Sequence, residues 1–258
     1  MFSVYHIIWL IIVAVFTVTG VILYRKYRPA LKYILYAACT IAVLSELTKI
    51  FSVMKIVPSS DGSSFYPYIE LNHLPLHFCS IQIIFIFYAT LTHNDKARTD
   101  LLAFICPTCF LGGLFASLIP SIYTTTITPG ESFTSPVAYQ FYIYHGMMIL
   151  LGLIILESGA VKWRWVCLLH TLLIVYMLGF SSIYVNSMFT SPVYVNGELQ
   201  SIEFSPNYFF TFRSPVNIPL TEKWQWCLYI AVMFAIVTVT LSLFYLIFIR
   251  KKIKANRK

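Results

Sequence analysis

Seven long apolar runs divide this chain, and they constrain its fold more than any other feature. They cover about residues 4–24, 31–54, 74–92, 100–120, 137–157, 163–186 and 225–249. Each run is close to the roughly 20 residues that an α-helix needs to cross the hydrocarbon of a bilayer. Charged residues make up 11% of the sequence, whereas a soluble domain would carry roughly a quarter. The pattern predicts an all-α membrane protein, a single domain over residues 1–258 built as a seven-transmembrane helix bundle.

The basic residues indicate how these helices are oriented. Fourteen of the eighteen lysine and arginine residues follow the first, third, fifth and seventh runs, which places them on one side of a seven-helix arrangement. Positively charged loops stay in the cytoplasm, so we predict a multi-pass protein of the cell membrane with its N-terminus outside and its C-terminus cytoplasmic. Topology and contact with anionic lipids account for the net charge of +8, and no nucleic acid is expected as a partner.

The longest connection on the predicted outer side is the segment at about 187–224. It is rich in aromatic residues, which is unusual for a flexible linker. Asn196 and Gly197 form a two-residue sequence that is typical of hairpin turns. Since loops of this length usually have a function of their own, we predict that the segment folds as a packed outer lid loop.

Two short motifs in the fourth run are predicted to be structural. Gly112 and Ala116 are four positions apart, a spacing of small residues that allows close helix packing in membranes. Cys106 and Cys109 enclose Pro107 in a sequence with redox-motif spacing, but no second pair completes a zinc site. We interpret Pro107 as a helix kink. The sequence predicts no metal and no cofactor.

Polar and ionisable side chains collect in the predicted outer half of several runs. Such residues are costly inside a membrane and mark candidate functional sites. They are Glu46 and Lys49 in the second run, His77 and Cys79 in the third, His145 in the fifth and Asn186 at the end of the sixth. Because these groups share one depth although their helices alternate in direction, a common pocket near the outer surface is the economical interpretation.

Four of these groups also have a structural interpretation. Glu46 and Lys49 are three positions apart and can pair on one helix face. His145 can bond to a backbone carbonyl, and Cys79 can be a small buried apolar side chain. These alternatives stay open at the level of the sequence.

His77 and Cys79 lie two positions apart in the third run. If the helix is regular from Pro75, a residue that suits the first turn, Cys79 projects on the same face as Gln82 and His77 projects elsewhere. The two residues are then not a ready-made pair, and a base for Cys79 has to come from another helix. His145 is the predicted base.

Four segments, in this order, resemble a known family. They are LNHLPLHFCS, GLFASLIPSIY, QFYIYHGMMIL and SPNYFFTFRSP, with an asparagine closing the sixth run before the last of them. They look like the YwaF-type bacterial membrane proteins, which are grouped with the transmembrane protein 164 family of acyltransferases. The resemblance covers about residues 70–215. It implies acyl transfer or acyl hydrolysis on membrane lipids.

Carried onto this sequence, the resemblance implies that Cys79 is the nucleophile and His145 the general base. His77 would be a supporting or alternative base. Such chemistry needs a thiolate, which a neighbouring histidine can supply.

Further groups would bind the substrate. Donors to the oxyanion of the intermediate could be Gln82, Asn186, Asn207 or Tyr208. Lys49 or Arg213 would hold a lipid phosphate, for which arginine is suited by its bidentate geometry. Membrane lipids are therefore the predicted partners, while the oligomeric state is not predicted.

The alternative is a non-catalytic membrane transporter or binding protein that uses the same polar pocket for a polar ligand. Its function would depend on Glu46, Lys49 and Arg213 and would tolerate the loss of Cys79. A scaffold of the cell envelope, with the polar layer joining the helices, is a third interpretation.

Overall fold

The computed structural model describes residues 2–195, 198–215 and 218–255, without the side chains of 124, 125 and 250–255. Within these residues it is mostly helical. Seven of its helices are long and apolar enough to cross a membrane, which confirms the seven predicted spans. The orientation of the termini stays a prediction.

The helices begin and end close to the predicted limits. In chain order they are α1 (Val4–Tyr27), α2 (Leu31–Val53), α3 (Phe78–Leu91), α4 (Asp95–Leu118), α5 (Ile122–Thr125), α6 (Pro136–Ser158), α7 (Trp165–Met188) and α8 (Lys223–Ala255). All except the four-residue α5 belong to candidate spans, and the third span, Leu71–Leu91, includes the residues before α3. Short 3-10 turns lie at Leu71–His73, Pro129–Phe133 and Tyr208–Phe210.

Two β-hairpins interrupt the helices. β1 (Lys55–Pro58) pairs antiparallel with β2 (Phe65–Tyr68), and β3 (Ser191–Val195) pairs antiparallel with β4 (Glu198–Phe204). The pairing of Val195 with Glu198 brackets a two-residue connection, as the predicted hairpin requires. The predicted turn residues themselves, Asn196 and Gly197, lie outside the described residues.

The chain divides into two compact units. The first comprises residues 1–75 and 79–162, and the second comprises residues 76–78 and 163–258. In the first unit, α6 packs against α1, α2 and α4, and most of its side chains are buried. In the second unit, α7 packs along α8.

A buried histidine joins α1 to α4. The Ser3 hydroxyl caps the start of α1 by accepting from the His6 backbone N–H. The His6 imidazole is completely buried. Its Nε2 lies 2.9 Å from the carbonyl oxygen of Ser117, and its Nδ1 lies 3.3 Å from the Phe2 backbone nitrogen. A neutral imidazole that donates through Nε2 and accepts through Nδ1 satisfies both contacts.

Helices α4 and α6 approach each other through two glycines. A β-carbon at Gly113 would lie 2.7 Å from the carbonyl oxygen of His145, and one at Gly152 would lie 2.7 Å from that of Cys106. Both distances are shorter than a carbon and an oxygen can adopt without displacing backbone. Glycine therefore sets the spacing of the two helices, as small residues do in membrane proteins.

The packing role predicted for Gly112 is wrong, whereas Ala116, which was predicted with it, packs against a buried apolar cluster. A β-carbon at Gly112 would have no described atom within 4 Å. Cys106 and Gly113 of α4 contact α6, and they are buried together with Cys109 and Ser117. These residues are three or four positions apart, so they form one stripe, and Gly112 lies beside it.

Helix α3 begins at Phe78, three residues after the predicted start. Leu74 is extended, with φ −60° and ψ 149°, as residues before proline usually are. The His77 ring then lies edge-on to that of Tyr208, with centroids 5.1 Å apart. The Phe78 ring lies 5.5 Å from that of Phe209. These ring contacts connect His77 and Phe78 to the turn Tyr208–Phe210.

Candidate functional site

Cys79 lies in the first turn of α3. Because the helix begins at Phe78 and is not regular from Pro75, Cys79 is its second residue. The N–H groups of a first turn have no partner within the helix, and the helix dipole favours negative charge there. Cys79 as a residue is half-buried, and its thiol lies beside the amide N–H and hydroxyl of Ser80.

An ion pair on α2 lies beside this turn. Lys49 Nζ is 2.6 Å from Glu46 Oε1, and the two side chains are 14% and 17% exposed. The contact is an ion pair rather than an aligned hydrogen bond. The ammonium also lies 3.5 Å from the Ser80 hydroxyl, and it interacts electrostatically with Cys79 and His145. The predicted pairing of Glu46 with Lys49 is therefore present, and it places a cation near both groups.

His145 is buried in α6 and uses one ring nitrogen. Nδ1 lies 2.7 Å from the carbonyl oxygen of Phe141. A carbonyl can only accept, so Nδ1 carries the proton and Nε2 presents a lone pair. Nε2 is buried and has no hydrogen-bond partner among the described residues. The structural interpretation accounts for Nδ1, while Nε2 is available as a base.

Tyr144 connects α6 to the first turn of α3. Its hydroxyl donates to the backbone carbonyl of Cys79 over 2.6 Å. His145 is the next residue of α6, so Tyr144 links the turn that carries the imidazole to the turn that carries the thiol, although adjacent residues of a helix face different directions. Sequence reasoning missed Tyr144 because it is one of 18 tyrosines and its spacing does not distinguish it.

Gln82 lies one turn after Cys79 on the same face of α3, and its side chain is completely buried. Its Oε1 is 3.7 Å from the Sγ of Cys109, whose thiol donates to it. Its Nε2 has no hydrogen-bond partner among the described residues. An unpaired buried amide costs about 1–3 kcal/mol, so this nitrogen marks a place where an acceptor would be stabilised.

The remaining predicted residues lie in the second unit, around the 3-10 turn Tyr208–Phe210. Asn186 Nδ2 donates to the Tyr208 carbonyl over 3.1 Å and to Thr211 Oγ1 over 2.9 Å. Its Oδ1 accepts from the Tyr208 N–H over 2.9 Å. Both amide hydrogens of Asn186 are therefore engaged in holding this segment.

Asn207 organises the same segment from within. Its Oδ1 accepts from the N–H groups of Phe212 and Arg213, each over 3.0 Å, and its Nδ2 donates to the Arg213 carbonyl. The exposed Arg213 guanidinium donates to the Ser205 carbonyl over 2.7 Å. A phosphate-binding role for Arg213 stays a prediction.

Tyr208 is buried at the centre of this segment, where its ring meets that of His77. Burial raises the pKa of Tyr208 to about 12, so its phenol is neutral at physiological pH. Phe209 and Phe210 follow with φ of 57° and 55°. Such left-handed conformations are strained for bulky residues and persist where surrounding contacts impose them.

Replacing Asn186 with alanine should loosen this strained segment. The change removes the Asn186 acceptor of the Tyr208 N–H and one of the two side-chain donors to the Tyr208 carbonyl, which keeps Thr211. The cost is about 2 kcal/mol, or roughly a 30-fold larger population of open segment. Limited proteolysis should then cleave faster between residues 205 and 215. Ser181→Ala, an exposed change on the same helix, is the control. Unchanged cleavage of the Asn186 variant would show that these bonds do not hold the segment.

These features define a class of protein. It is a multi-pass helical membrane protein whose first unit carries a group of buried and half-buried polar residues, namely Glu46, Lys49, Cys79, Gln82, Tyr144 and His145. The described residues contain no group of three or more His, Cys, Asp or Glu side chains that could hold a metal ion.

The chain belongs to the TMEM164 family, whose model matches residues 1–248. This match confirms the relation to that family which the four segments predict. No curated protein and no solved structure matches the chain.

Proposed function

We propose that this protein is a lipid-directed acyltransferase or acyl hydrolase of the cell membrane, similar to YwaF-type bacterial proteins, with Cys79 as nucleophile and His145 as general base. The arrangement of two adjacent residues of α6 carries the proposal. Tyr144 bonds to the Cys79 backbone, and the adjacent His145 keeps a buried basic nitrogen without a partner among the described residues. Membership of the TMEM164 family is compatible with a lipid-related role in a membrane.

The first half of the reaction forms an acyl-enzyme. His145 Nε2 takes the proton of the Cys79 thiol, and the sulfur attacks the carbonyl carbon of a lipid ester. The carbonyl electron pair moves to the oxygen, which gives a tetrahedral oxyanion. When the carbonyl re-forms, the alcohol oxygen of the lipid leaves and takes the proton from His145. The products are a thioester on Cys79 and a lipid alcohol.

The second half releases the acyl group. The hydroxyl of an acceptor lipid, or water, gives its proton to His145 and attacks the thioester carbon. The Cys79 sulfur leaves and recovers the proton. An acceptor lipid gives transfer, and water gives hydrolysis.

Two features support thiolate formation inside a membrane. The first turn of α3 directs the positive end of the helix dipole at Cys79. Lys49 adds a cation within electrostatic range, while Glu46 neutralises that cation when no substrate is present. A paired charge is how ionisable groups are tolerated in a membrane. In this proposal a lipid phosphate competes with Glu46 for Lys49.

The proposal is tested by labelling the protein in its membrane with a long-chain chloroacetamide, which alkylates thiols, and mapping the modified residue by mass spectrometry. We expect modification of Cys79, and we expect phospholipids with acyl esters to slow it. Cys227 is exposed and serves as the internal control, because its labelling should not respond to phospholipid. Cys79→Ala should remove both the competed label and acyl turnover.

A different pattern would overturn the proposal. If the label maps only to Cys106 or Cys227, or if Cys79→Ala keeps full acyl turnover, Cys79 is not the nucleophile. The transporter or binding protein would instead be supported if ligand binding or flux required Glu46, Lys49 and Arg213 but did not require Cys79.

A further inference from the structure

Gln82 presents a hydrogen-bond donor close to Cys79 that the rest of the fold does not use. The side chain is completely buried, and its Nε2 has no partner among the described residues. By contrast, the Tyr144 hydroxyl donates to the Cys79 carbonyl, and both amide hydrogens of Asn186 are engaged.

The position of Gln82 on α3 suits an oxyanion formed at Cys79. Residues three apart on a helix have β-carbons about 5–6 Å apart. The carbonyl oxygen of an ester attacked by the Cys79 sulfur lies two bonds from that sulfur. An amide nitrogen at the end of the Gln82 side chain can reach an oxygen at this distance.

Cys109 determines which end of the amide faces the site. Its thiol lies 3.7 Å from Gln82 Oε1, and a thiol donates to oxygen. Holding the oxygen on α4 leaves the NH₂ group for an acceptor. The second cysteine of the Cys-Pro-Thr-Cys sequence thus has a role that needs no redox chemistry and no metal.

We infer that Gln82 Nε2 donates to the oxyanion of the tetrahedral intermediate at Cys79, and that Cys109 positions the amide for it. The ligand class is an acyl carbonyl, or the carboxylate of a fatty acid product. The inference rests on the proposed function, because it assigns a donor to that same reaction. Gln82 would be a catalytic residue, and Cys109 a positioning residue.

The experiment compares two reactions of the same thiol. Acylation of Cys79 by a long-chain p-nitrophenyl ester passes through an oxyanion, whereas alkylation by a long-chain chloroacetamide is a displacement at a saturated carbon and forms none. Gln82→Leu should slow acylation on the order of 100-fold, as loss of one oxyanion donor does. Alkylation should keep the wild-type rate. The variant should also be no less stable than the wild type, because it removes an unpaired buried polar group.

Variants of the two α4 cysteines test the positioning role. Cys109→Ala should slow acylation, by less than Gln82→Leu does, and Cys109→Ser should restore it because the hydroxyl also donates. Cys106→Ala is the matched control, since that thiol donates to the Gly152 carbonyl and does not touch Gln82. It should change neither rate.

The outcomes separate this inference from the proposed function. Suppose that Cys79 of the wild type is acylated. If Cys79 of the Gln82→Leu variant is acylated at the same rate, or if the variant shows equally slower acylation and alkylation, Gln82 is not the oxyanion donor. The proposed function stands in either case. If wild-type Cys79 is not acylated at all, the proposed function fails and the inference falls with it. If Cys109→Ala acylates like the wild type, the positioning role of Cys109 is overturned.

Discussion

Replacing His145 with alanine should slow acylation of Cys79 by roughly 100- to 10,000-fold, the usual contribution of a general base. Without the imidazole, no described basic group has a buried unpartnered nitrogen beside the α3 turn to accept the thiol proton. The rate is measured as p-nitrophenol release from a long-chain ester, with the mass of the acylated protein as confirmation. Alkylation of Cys79 should slow as well, because both reactions need the thiolate. This shared loss distinguishes His145→Ala from Gln82→Leu.

The matched control for this variant is another membrane histidine. His170 lies exposed on α7, so His170→Ala should leave both rates unchanged. Wild-type acylation in the His145 variant would remove His145 from the mechanism and make His77 the next base to test.

Replacing Gly113 with alanine should damage both stability and activity. The new β-carbon would meet the His145 carbonyl oxygen at 2.7 Å and the Ile149 side chain at 2.9 Å. Since the carbonyl belongs to a helix backbone, α4 and α6 must separate, at a cost of about 1–3 kcal/mol for such overpacking. We expect a lower melting temperature in detergent. We also expect slower acylation of Cys79, because the turn that carries His145 is displaced.

The adjacent glycine provides the control for that experiment. Alanine at Gly112 would contact no described atom within 4 Å, and alanine is favoured over glycine inside a helix by about 1 kcal/mol. Gly112→Ala should therefore be at least as stable as the wild type and equally active. Equal behaviour of the two variants would refute the close contact between α4 and α6.

The spans could be predicted because a bilayer imposes length and apolar composition on each helix separately. The start of α3 was not predicted correctly, because the residues at this boundary contact rings at Tyr208 and Phe209, which lie more than a hundred residues later and which the local sequence does not reveal. The choice between Gly112 and Gly113 has a similar cause. Small residues show that a close approach is possible, whereas only the partner helix shows which face is used.

Candidate site residues could be predicted where a polar group stands out in an apolar run, as Lys49, Cys79 and His145 do. Tyr144 carries no charge and did not stand out. Asn186 is the opposite case. Its amide is an available donor as far as the sequence shows, but in the fold it donates to Tyr208 and Thr211. Whether a polar group is already satisfied depends on residues that are distant in sequence.

The contact between His6 and Ser117 has a consequence for biogenesis. The two residues are separated by 111 positions, so α1 leaves the ribosome long before α4 is synthesised. An imidazole without its carbonyl is poorly tolerated in hydrocarbon, and the start of α1 should stay at the membrane surface during that interval. Insertion of α1 and its final docking are then separate events, and a nascent chain arrested after α3 would hold its first helix undocked.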